Sequence, residues 1–122
     1  MTEQQKKFVI QKHTKGSNVH WDLMLESGDC LQTWRLDKEP GRIFSESSGA
    51  EKIFDHPLKF LIYQGSVNNG KGNVQIADAG TYQITLQTSD KIEMELAGKI
   101  LKAKFTLRRN KDGKWQFAKV GE

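Results

Sequence analysis

The chain has 122 residues, with 19 Lys plus Arg against 15 Asp plus Glu, a single cysteine and a hydrophobic share of 36%. That length suits one domain over residues 1–122 with one modest core, and a lone cysteine excludes an internal disulfide framework and any paired-cysteine metal clip. The net charge of +4 permits a polyanionic partner, although a lysine-rich soluble surface accounts for it equally well.

The opening MTEQQKKFVI carries no long apolar run after its lysines and does not read as a secretory leader. No stretch approaches the roughly 18 apolar residues of a spanning helix. With Cys30 as the one thiol, these features point to a reducing, cytoplasmic setting without a membrane partner. Residues 1–7 are polar and are expected to fray.

KFVIQKH reads as a strand ending at His13, followed by a turn through Thr14 to Asn18. Val19 to Leu25 alternates Val19, Trp21, Leu23 and Leu25 against His20, Asp22 and Met24, the pattern of a half-buried strand. Ser27-Gly28-Asp29 is a turn, and CLQTWRL a further strand. Residues 41–55 are the least periodic part and predict a long loop with one helical turn near Ser47 to Lys52. LKFLIY after Pro57 reads as a strand, and Asp78-Ala79-Gly80 as a turn. KIEMEL, ILKAKFTL and KWQFAKV alternate again, with Gly98 marking a bend and Asn110 to Gly113 a turn. There is no linker and no internal repeat. The expectation is an all-β, compact, mostly antiparallel β-barrel of about eight strands, a closure that removes exposed edges; a two-sheet sandwich is the second choice. Trp21, Trp34, Trp115, Phe105 and Phe117 occupy alternating apolar positions and are assigned to the core rather than to base stacking. GSVNNGKG is a tight glycine loop but lacks the spacing of a phosphate-cradling P-loop.

The chain has three histidines, His13, His20 and His56. His20 and Asp22 are two apart on one strand, so their side chains leave the same face. A hairpin through Thr14 to Asn18 folds His13 back beside them. Two imidazoles and a carboxylate at one point suit manganese, iron or zinc and leave coordination positions open. The plainer alternative is a turn histidine beside two solvent-facing strand residues. His56 precedes Pro57, which restricts its backbone; it is a candidate phosphate ligand or acid-base group, or simply part of a surface turn.

QKHTKGSNVHWDLMLE resembles the first signature of the 3′-phosphoesterase domain of bacterial DNA ligase D, which pairs a QKH segment with HYDxRLE. DHPLKF resembles that family's DHPLxY, DAGTY its WDxGTW, and CLQTWRLDKEP its strand leading to a lysine, here Lys38. YQGSVNNGKGNV resembles a shortened form of its glycine-rich run, and KIEMELAGKILKAKFTLRRNKDGKW its closing hairpin. The likeness spans nearly residues 8–120.

The resemblance implies a β-barrel with a manganese-dependent site that trims DNA 3′ ends in repair, removing a 3′ ribonucleoside and then a 3′ phosphate. Zinc or another divalent ion is the alternative cofactor. It makes His13, His20 and Asp22 the metal ligands, and His20, Asp22 and His56 the catalytic set. His56, Lys38 and Lys52 become the phosphate contacts. Glu26, further along the same strand face, is a candidate to orient a ligand histidine, or it forms a rim salt bridge. Implied partners are DNA 3′ ends or a primer-template, with a separate ligase or polymerase of end joining. Two positions depart from the pattern. Met24 stands where the family has an arginine that would clamp phosphate oxygens, and Phe60 where it has a tyrosine. The chain therefore reads as a divergent member standing alone; a noncatalytic metal- or nucleic-acid-binding descendant is the alternative.

Overall fold

The computed structural model describes residues 5–121. Of the residues expected to fray, 1–4 lie outside the described part, whereas Lys6 and Lys7 open the first strand. The strands in chain order are β1 (Lys6–Lys15), β2 (Asn18–Ser27), β3 (Cys30–Leu36), β4 (Ser48–Pro57), β5 (Gly65–Val67), β6 (Gly72–Gln87), β7 (Lys91–Gly98), β8 (Lys102–Arg109) and β9 (Trp115–Lys119). They form a nine-stranded sheet in the order β1-β2-β3-β4-β9-β8-β7-β6-β5, and β1 also pairs with β6. Each paired ladder is antiparallel. Among the described residues no helix is long and apolar enough to cross a membrane.

The β1–β6 pairing closes the hydrogen-bonded order into a ring, but the ring is not the barrel that the alternation predicted. A ninth strand, β5, lies outside it on β6, and the β4–β9 seam consists of three residue pairs. The sheet also buries both of its faces over β1 to β3. One face carries Phe8, Ile10, Leu23, Leu25, Trp34 and Leu36 into the main core, where Met94, Phe105, Leu107 and Phe117 meet them. The opposite face carries Val9, Met24 and Leu31 into a second cluster, covered by Leu58, Phe60 and Leu61. Period-two alternation announces one buried face. It does not announce a second, because the apolar residues there are interleaved with Gln11, His13, Asp22 and Thr33.

Three local readings are also corrected. The supposed loop 41–55 holds a single helical turn at Pro40–Ile43, and Ser48–Pro57 is a strand rather than a loop with a turn. Proline at the first helical position presets the backbone there, a signal hidden by the short length of the element. Leu58–Leu61 forms a 3-10 turn, not a strand. Asp78-Ala79-Gly80 lies inside β6 and is not a turn. Gly80 is there because the next strand comes close: a Cβ would sit 2.0 Å from the Ala97 carbonyl oxygen.

Asp78 organises the neighbouring β7–β8 turn. Its buried carboxylate accepts the amides of Lys99, Ile100 and Leu101 at 2.8, 3.1 and 2.8 Å, and that of Ala79 at 2.9 Å. Turn amides with no ladder partner are satisfied by one side chain, and charge assistance strengthens the set. Asp78→Ala is expected to destabilise the fold by roughly 3 kcal/mol, the cost of leaving one buried and three part-buried donors without their acceptor. Urea denaturation checks this; an unchanged midpoint would show that water replaces the carboxylate.

Candidate metal centre

The outer face of β1 to β3 positions the site. Gly16 at φ +60° supplies the first central residue of a tight two-residue hairpin turn. The resulting register sets His13 directly opposite His20, and Gln11 opposite Asp22. His13 Nδ1 lies 3.0 Å from His20 Nε2, and His20 Nε2 lies 3.3 Å from Asp22 Oδ2. One ligand atom from each of the three residues falls within 4.8 Å of the others, the arrangement of a cluster able to hold a metal ion. Donor atoms this close together would hold one ion between them. Gly72 leaves room for the first ligand, since a Cβ there would stand 3.0 Å from His13 Nε2.

Electrostatics agree with this donor set. Burial lowers the pKa of His13, helped by the neighbouring His20, and burial followed by Arg35 lowers that of His20. Both imidazoles are then neutral near pH 7, the form that binds metal. Burial raises the pKa of Asp22, partly opposed by Arg35 and His56. The close His20–Asp22 contact is therefore not a strong ion pair. Asp22 Oδ1 and His13 Nε2 are buried polar atoms without a hydrogen-bond partner. A carboxylate that is 3% exposed, with an oxygen that accepts no hydrogen bond and has Arg35 Nε 3.9 Å away, is costly unless a closer cation compensates it. The residues present fit a divalent ion.

His13, His20 and Asp22 share a cleft of about 620 Å³ with Gln11, Arg35, Phe54, His56 and Phe60. His56 is thereby brought to the same cleft. Its Nδ1 lies 3.1 Å from the Phe54 carbonyl and 3.0 Å from Thr33 Oγ1. The Thr33 hydroxyl itself donates to the Leu31 carbonyl at 3.0 Å. A carbonyl only accepts, so Nδ1 carries the proton and Nε2 is left for a ligand. Nothing local in the sequence marks Thr33, because its place on β3 beside the β4 bulge follows from long-range pairing. Gln11 is marked only by the QKH segment. Buried, it donates to the carbonyls of Phe60 and Tyr63 at 2.9 and 2.8 Å, pinning the 3-10 turn over the site.

The other candidates lie elsewhere. Lys38 Nζ donates to the Ser47 carbonyl at 2.7 Å and sits 3.6 Å from Glu46. Lys52 Nζ donates to the Ile53 carbonyl at 2.8 Å and lies 3.7 Å from Asp55. Glu26, toward the other end of β2, accepts the Lys7 amide at 2.9 Å. Two other basic groups line the cleft, Lys15 and Arg35, and Arg35 Nε is 3.9 Å from Asp22 Oδ1. Met24 and Phe60, the two departures from the resembled pattern, pack in one apolar cluster. The polar groups expected at both positions are thus lost together.

Comparison with known proteins follows the same lines. The DNA ligase D 3′-phosphoesterase domain profile matches residues 11–109. The chain is 34% identical over 80 residues to the multifunctional non-homologous end joining protein LigD of Mycolicibacterium smegmatis, covering 63% of this chain and 10% of that protein. It is 29% identical over 115 residues to the multifunctional non-homologous end joining DNA repair protein LigD of Mycobacterium tuberculosis, covering 88% and 15%. Against the LigD of Pseudomonas aeruginosa it is 30% identical over 79 residues, covering 62% and 9%. The chain therefore spans between 9% and 15% of the length of these relatives. With its matched residues running from the QKH segment to the end of β8, and a His-His-Asp cluster on the outer sheet face, the chain belongs to the DNA ligase D 3′-phosphoesterase domain family.

Proposed function

We propose that this chain is a metal-dependent phosphoesterase that processes DNA 3′ ends, with manganese as the working ion and a 3′ phosphate or 3′ ribonucleotide as the group removed. The observation that carries the reading is the convergence of His13, His20 and Asp22 in a cleft that also holds His56. Two imidazoles and one carboxylate form a mixed nitrogen and oxygen set suited to manganese, with zinc as the competing ion.

His13, His20 and Asp22 would hold the ion and present it to the cleft. A divalent ion so held supplies Lewis-acid polarisation of a phosphoryl oxygen. His56 uses Nε2 toward the phosphoryl group, because Nδ1 is occupied by Phe54 and Thr33. When protonated, Nε2 is the atom positioned to donate to the departing sugar oxygen. Arg35 offers the planar guanidinium that position 24 lacks. Lys38 and Lys52 would have to release their present partners to reach a phosphate. DNA 3′ ends or a primer-template are the proposed partners, with a ligase or polymerase of end joining acting on the hydroxyl left behind.

The test is incubation of the protein with manganese and primer-templates ending in a 3′ phosphate or 3′ ribonucleotide. Product formation that needs the metal and is lost in His20→Ala is the expected result. The apolar Met24–Phe60 contact favours a second reading, a noncatalytic metal- or nucleic-acid-binding relative. Metal-dependent binding of DNA without turnover would establish that one instead.

A further inference from the structure

We propose that the exposed ring of Phe54, backed by the imidazole of His56, is a stacking platform for the nucleobase of the nucleotide at the 3′ end. The proposal deepens the 3′-end reading and rests on it. Phe54 lines the cleft yet is 73% exposed, leaving in water apolar surface that burial would ordinarily remove. Its ring is stacked on that of His56, with centroids 4.7 Å apart and planes 11° from parallel. One face is therefore supported while the side chain as a whole remains open to solvent.

The backbone builds this arrangement. Leu31 pairs with His56 and Thr33 with Ile53, so Gln32 alone faces both Phe54 and Asp55. That is a β-bulge, a device that re-aims side chains beside functional sites. The Phe54 carbonyl also fixes His56 Nδ1 at 3.1 Å, and the Phe60 ring packs nearly perpendicular to His56 with centroids 5.8 Å apart. The stack is thus held at its backbone and through its inner ring.

The chemistry of the cleft selects the occupant. Its lining includes two cationic side chains, Arg35 and Lys15, besides the His-His-Asp donors. A flat apolar ring next to such a set matches a nucleotide, whose phosphate meets the charges and whose base meets the ring. Base–aromatic stacking tolerates any base, because each has a π-face. The platform then supplies affinity without sequence preference, as suits a site that acts on ends rather than sequences.

The test uses DNA oligonucleotides ending in a 3′ phosphate, with 2-aminopurine or an abasic residue as the last nucleotide. Binding and turnover by the native protein, Phe54→Ala and Phe54→Trp are compared with manganese present. The native protein should quench 2-aminopurine and bind the abasic end on the order of tenfold more weakly. Phe54→Ala should lose both the quenching and the base-versus-abasic ratio, and Phe54→Trp should keep both. A role confined to steadying His56 would slow turnover equally on both ends and leave the ratio unchanged, which overturns the platform. Turnover with no quenching in the native protein overturns it as well, while leaving the phosphoesterase reading intact. Phe54-dependent quenching without any turnover sustains the platform and removes the reaction.

Discussion

Replacing Asp22 with asparagine is expected to stabilise the metal-free protein at pH 7 while abolishing metal-dependent activity. The sign follows from burial. Asp22 is held above its ordinary pKa of 3.8, so the folded state grips the proton more tightly than the unfolded chain does. Below pH 3.8 both states are neutral and the carboxylate costs nothing. As pH rises above 3.8 the unfolded chain ionises while the folded protein still holds its proton, so stability falls, and the loss levels off above the raised folded-state pKa, where the folded protein carries the buried charge. At pH 7 the penalty is in force. Asparagine removes it, so the melting temperature should rise at pH 7 and the difference should vanish near pH 3.

The same substitution removes the anionic metal ligand. Manganese at a hundredfold excess over its dissociation constant should stabilise the native protein by about 2.7 kcal/mol, and the variant by nothing measurable. Loss of Lewis-acid assistance should lower turnover on the order of 10³-fold. Thermal melts with manganese or with a chelator, beside the 3′-end assay, measure both signs. A metal-free variant less stable than the native protein would show that Arg35 already compensates the carboxylate. The cluster would then be a structural ion pair.

The sequence carried much of the site and less of the architecture. The hairpin between His13 and His20 was legible because Gly16-Ser17 is a strong turn signal and β2 alternates cleanly. Those two local facts suffice to bring His13, His20 and Asp22 together. The second buried face was not legible, since Val9, Met24 and Leu31 become a cluster only once the turn Leu58–Leu61 folds over them. The barrel expectation failed for that reason and because β5 attaches outside the ring. Likewise β4 hid in an aperiodic stretch, for the bulge opposite Gln32 breaks its alternation where Phe54 and His56 are displayed. The irregularity that defeated the pattern is the one that shapes the cleft. Long-range partners likewise decided the basic residues: nothing local distinguishes Arg35 from Lys38 or Lys52.

Arg35→Ala is expected to lower turnover of a 3′-phosphate end by 10²–10³-fold, the usual cost of losing one electrostatic donor, without opening a cavity in the fold. Its side chain is 43% exposed, so its removal leaves no cavity in either apolar cluster. On β3 it follows Leu31 and Thr33 along the face that carries the site, and its register partner is Asp22. Met24 pairs one step away with Thr33. A guanidinium at 35 therefore reaches the cleft from the adjacent strand, whereas position 24 is 1% exposed and committed to packing. Arg35→Lys should recover only part of the rate, because an ammonium cannot span two phosphate oxygens. Metal affinity should move the other way: removing a cation 3.9 Å from Asp22 lessens its competition with the ion, so manganese should bind Arg35→Ala at least as tightly. Weaker turnover with undiminished metal binding separates phosphate recognition from ligand support. If instead metal binding falls together with turnover, Arg35 serves to position Asp22, and the phosphate must be held by other groups.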